Sequence, residues 1–97
     1  MRALLIAAAL FAAAPAVAQT PATSLTLADA TKAPTRATII DGASWRCEGA
    51  ACTATGGSEQ PATRACRRVV ARLGEVTAFS YRGVALSAEQ LATCNAG

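Results

Sequence analysis

Residues 44 to 57 read SWRCEGAACTATGG, two cysteines separated by four residues with a tryptophan just upstream. The segments on either side of EGAA can pair as antiparallel strands. That register sets Cys47 opposite Cys52 and Trp45 opposite Ala54, all on one face, because side chains alternate along a strand and cross-strand partners share a side. A disulfide across such a pair is easily made. Upstream, RATIIDGASWRC carries an Asp41-Gly42 turn signal between two strand-like runs, which extends the hairpin to three strands. Gly56 and Gly57 then break the pattern.

The chain has four cysteines and no histidine. An even count in an exported chain favours two disulfides, although four cysteines allow three connectivities. Local geometry favours Cys47 with Cys52, which leaves Cys66 with Cys94 and clamps the start of the helical half to its end. Loop entropy makes the short bridge worth about 2 kcal/mol and the long one about 3.5 kcal/mol. A thioredoxin-like site needs cysteines two residues apart at a helix start, whereas here the gap is four in a hairpin. A histidine-activated thiol is excluded for want of a histidine. The gaps of 4, 13 and 27 residues lack the paired short spacings of a four-cysteine zinc site. The hairpin reads as a staple, with thiol-disulfide or metal-linked activity as the lesser alternative.

A helix is predicted from about Pro61 to Leu73, entered through Ser58 to Gln60 and stopped by Gly74. At 100 degrees per residue, Ala62, Ala65, Cys66, Val69, Val70 and Leu73 fall on one side. Arg64, Arg67, Arg68 and Arg72 fall on the other, within about 140 degrees of arc. Their mutual repulsion is offset either by carboxylates such as Glu59 and Glu75 or by an anionic partner. EVTAFSY alternates Val76, Ala78 and Ser80 against Thr77, Phe79 and Tyr81 as a strand, and Arg82-Gly83 turns it. Ser87 and Gln90 form a capping box for a short last helix ending near Asn95.

The N-terminus has the charged, apolar and cleavage regions of a secretory signal: Arg2, the run Ala3 to Ala14, Pro15, then Ala16-Val17-Ala18. The run is shorter than the roughly 18 to 20 residues needed to span a bilayer. Residues 1–18 are therefore expected to be removed, which makes the protein periplasmic or secreted and not membrane-spanning after cleavage. Residues 19–35, rich in threonine, alanine and proline, read as a flexible leader in which Leu25 and Leu27 leave room for a short edge strand. Residues 36–97 form one domain, too small and too alanine-rich to dispense with cross-links. The formal net charge of +3 includes Arg2 and is too weak to imply nucleic acid.

The pattern Trp45, Cys47, Gly49, Cys52, then Arg64 and Cys66, GEVTAF from Gly74 to Phe79 and a closing Cys94-Asn95 resembles a family of small, exported, uncharacterised proteins of alphaproteobacteria of the Caulobacter and Sphingomonas kind. The likeness covers roughly residues 37 to 96. It implies a Gram-negative exported protein, and it brings no established activity and no catalytic residue.

The expected fold is α+β: a small antiparallel sheet of three or four strands, two helices packed on one face and two disulfides. The expected function is a periplasmic structural or binding module of unknown ligand. The six carboxylates are scattered and the serines lack a base, so no catalytic residue, cofactor or metal is expected. The alternative is a cationic binder that recognises an anionic lipid or an acidic envelope protein through Arg64, Arg67, Arg68 and Arg72.

Overall fold

The computed structural model describes residues 22–97. The expected signal segment 1–18 lies outside the described residues. Six strands form one antiparallel sheet: β1 (Thr23–Leu27), β2 (Thr38–Ile40), β3 (Ala43–Glu48), β4 (Ala51–Gly56), β5 (Val76–Tyr81) and β6 (Val84–Ala85). Two helices, α1 (Ala62–Leu73) and α2 (Ala88–Ala96), pack against each other and against β5. The fold is α+β as expected, with more strands than the three or four predicted.

The hairpin register holds. Cys47 pairs with Cys52 and Trp45 with Ala54 across β3 and β4, and Asp41-Gly42 turns β2 into β3 with both residues at positive φ, 51° and 82°. Positive φ at both central residues matches the right-handed twist of the flanking strands, which is why an Asp-Gly pair makes this turn well.

The short strand that Leu25 and Leu27 allowed within residues 19–35 is present, but not at the edge where it was expected. Thr23–Leu27 is not an edge strand but runs between β4 and β5, in the order β2-β3-β4-β1-β5-β6. Leu25 and Leu27 are buried in the core beneath the helices. Because β1 is antiparallel to both neighbours, β4 and β5 run parallel to each other with α1 as their crossover. The other additional strand, β6, is two residues long and follows the Arg82-Gly83 turn.

β5 also departs from simple alternation. Leu27 faces Val76 and Thr26 faces Ala78, so Thr77 is an extra residue in the ladder. A bulge shifts the side-chain phase by one. Val76 therefore joins Phe79 and Tyr81 on the helix side, instead of Ala78 and Ser80 as the alternation suggested. Val76 lies beyond the reach of β6, and the Asn95 side chain takes the place of a strand there. Its Oδ1 accepts from the Val76 N–H at 3.0 Å and its Nδ2 donates to the Val76 carbonyl at 2.8 Å. That pair ties the end of α2 to the bulge.

The core joins Trp45, Phe79, Leu25, Leu27 and Val76 from the sheet to Ala65, Cys66, Val69 and Leu73 of α1 and Cys94 of α2. Trp45 and Phe79 meet with ring centroids 6.2 Å apart. Both predicted disulfides are present, Cys47–Cys52 and Cys66–Cys94. The capping box is formed by Ser87 and Gln90, each side chain accepting the other residue's backbone N–H. No helix among the described residues is long and apolar enough to cross a membrane.

Candidate functional site

The side of α1 opposite Cys66 carries Arg64, Arg67, Arg68 and Arg72, all exposed. Their roles differ. Arg68 reaches back to the β2–β3 turn, where its Nη2 lies 3.0 Å from Asp41 Oδ1 and its Nε lies 3.1 Å and 3.3 Å from the two carboxylate oxygens. This is a forked, charge-assisted contact. Gln60 donates to the same carboxylate at 3.2 Å. Hydrogen bonds from Arg68 and then Gln60 hold the Asp41 carboxyl below the ordinary aspartate pKa.

The connector from β4 to α1 is fastened around this contact. The Tyr81 hydroxyl accepts from the Gln60 N–H at 3.1 Å and donates to the Ser58 carbonyl at 3.4 Å. The Arg82 guanidinium lies 5.4 Å from the centre of the Tyr81 ring and donates to the Gly57 carbonyl at 3.2 Å. Gly57 itself has φ +100°, and a β-carbon there would come within 2.9 Å of the Ala43 Cβ. The connector thus lies directly on β3 and fixes where α1 begins.

Arg67, Arg68 and Arg72 line one groove of about 380 Å³ together with Ile40, Asp41, Ala71 and Gly97. Arg64 is not among its lining residues. All six aspartate and glutamate side chains fall within the described residues, yet the Arg68–Asp41 contact is the sole ion pair formed among those residues. The sequence-based candidates for screening the arginines, Glu59 and Glu75, make no ion pair with them. Asp41 does so instead, a role that its place in an Asp-Gly turn concealed. Arg67 and Arg72 form no ion pair among the described residues and line a concave surface that they share with Arg68, Asp41 and Gly97.

Among the described residues no group of three histidine, cysteine, aspartate or glutamate side chains is placed to hold a metal ion. All four cysteines are consumed in the two disulfides.

Residues 5–96 match the model described as a family of unknown function (DUF8200). The chain belongs to this family. The match takes in β1 as well as the hairpin and both helices, so the family's extent reaches further toward the N-terminus than the motif-bearing stretch from residue 37 to 96. No curated protein and no solved structure matches the chain.

Proposed function

We propose that the protein is a small exported binding module of the bacterial periplasm, without catalytic machinery, which holds a phosphate-bearing lipid headgroup in the arginine groove of α1. The observation that carries this reading is the contrast within the groove: Arg68 is spent on Asp41, while Arg67 and Arg72 line the same concavity with no acidic partner. Guanidinium groups suit phosphate because their planar donors match two oxygens at once. A concave site also favours a compact headgroup over the broad face of an acidic protein. Export is supported by the secretory pattern of the N-terminus and by two disulfides, which persist in oxidising compartments.

Flotation of the oxidised protein with vesicles tests the reading. Binding to phosphatidylglycerol vesicles at low ionic strength, weakening as salt is raised and absent from phosphatidylcholine, is the expected result, since exposed charges act most strongly where screening is least. Failure to bind anionic vesicles at low ionic strength overturns it. Salt-sensitive capture of an acidic envelope protein without vesicle binding would replace the lipid with that partner.

A further inference from the structure

The two disulfides differ in how solvent reaches them. Cys66 and Cys94 are both fully enclosed at 0% exposure, and Cys52 is 1% exposed. Cys47 alone is partly exposed. It sits opposite Cys52 on the last inward position before the β3–β4 turn and packs against the edge of the core as a partly buried residue. A crevice of about 90 Å³ opens beside it, lined by Pro34, Thr35, Arg36, Ala37, Arg46 and Cys47 itself. Arg36 and Arg46 are exposed, neither is ion-paired, and the crevice contains no acidic side chain.

We infer that Cys47 is a thiol-exchange site, at which an anionic low-molecular-mass thiol enters the crevice between Arg36 and Arg46 and forms a reversible mixed disulfide. This inference is independent of the arginine groove on α1, which uses other residues on another element. Exchange proceeds by attack of a thiolate on one sulfur of a disulfide, and access decides which sulfur is attacked. Here the incoming thiolate bonds to Cys47 Sγ and the Cys47–Cys52 bond breaks. Its electron pair leaves on Cys52 Sγ, which takes a proton from water. A second thiolate then attacks the sulfur of the adduct and releases the small-molecule disulfide together with Cys47 as a thiolate. Two thiols are oxidised to one disulfide as the protein bridge is reduced to two cysteines.

The arginines act on this step in two ways. They raise the local concentration of an anionic thiol, and they offset the charge spread over three sulfurs during exchange. The Cys66–Cys94 bridge has no such approach, so the two disulfides should open in sequence.

The test uses the oxidised full chain at low ionic strength with three small thiols: 2-mercaptoethanesulfonate, 2-mercaptoethanol and cysteamine, compared at equal thiolate concentration. Samples are quenched by alkylation and mapped by mass spectrometry, with circular dichroism reporting the fold. The expected result is an adduct on Cys47, opening of Cys47–Cys52 while Cys66–Cys94 stays intact, and rates falling from the sulfonate to cysteamine by about fivefold, the order expected of two exposed cations. The ratio should approach one in high salt and in the double variant Arg36→Gln/Arg46→Gln, whose side chains are solvent-exposed. An adduct on Cys52, equal opening of both bridges, or a charge order that persists in that double variant would overturn the inference.

Discussion

The two sides of α1 divide the work of the molecule. On one side Ala65, Cys66, Val69 and Leu73 are buried, and Cys66 is bonded to Cys94. On the other, four arginines stand in solvent and only Arg68 has an acidic partner. The same twelve residues therefore supply a core wall and a charged groove. A helix can do both because a period of 3.6 residues separates the faces completely. Substitutions on the two sides should consequently have separable effects, on stability from the inner side and on anion binding from the outer.

The strongest challenge to this division is removal of the inner cross-link. Replacing Cys66 and Cys94 together by alanine opens the loop of sequence separation 28 and removes two enclosed sulfurs. It should cost about 3.5 kcal/mol or more by loop entropy alone, leaving the protein largely unfolded near physiological temperature, as urea denaturation would show. Removing Cys47 and Cys52 opens only a short loop of separation 5, for about 2 kcal/mol. If the hairpin pair proved the costlier, stability would be centred on the hairpin and not on the inner side of α1.

The smallest stability effect belongs to the outer side. The Arg68 and Asp41 side chains are 57% and 23% exposed, so solvent screens much of their attraction. Asp41→Asn should lower the melting temperature less than either disulfide variant. The pH dependence gives a sharper reading. Because the folded carboxyl has a lowered pKa, its stabilisation is fully present above the unfolded value, about pH 4, and is lost as pH falls through the folded value. Asp41→Asn should flatten that acid-side loss in a pH series of melting curves. The portion that remains includes Asp29, whose pKa is lowered by hydrogen bonds from Thr31.

Much of this was legible in the residues, and the failures share a cause. The Cys47–Cys52 register, the two faces of α1 and the Ser87–Gln90 box are local patterns, set by spacings of a few residues. The interior place of β1 was not legible because it depends on a gap between β4 and β5 that exists only once α1 has crossed over. Two leucines in a threonine- and alanine-rich run say little alone. The bulge at Thr77 likewise answers to Leu27 and Asn95, one far upstream and the other near the chain's end. For the groove, sequence grouped four arginines by helical phase, and only the tertiary fold separated Arg68 from Arg67 and Arg72 by bringing Asp41 to it.

That separation can be measured directly by placing Arg68→Gln beside the double variant Arg67→Gln/Arg72→Gln, and following both the melting temperature and binding to phosphatidylglycerol vesicles at low ionic strength. The account predicts that the double variant keeps the wild-type melting temperature and loses vesicle binding. Arg68→Gln should lower the melting temperature slightly and lose less of the binding. Vesicle binding by the double variant equal to that of the wild type would contradict it.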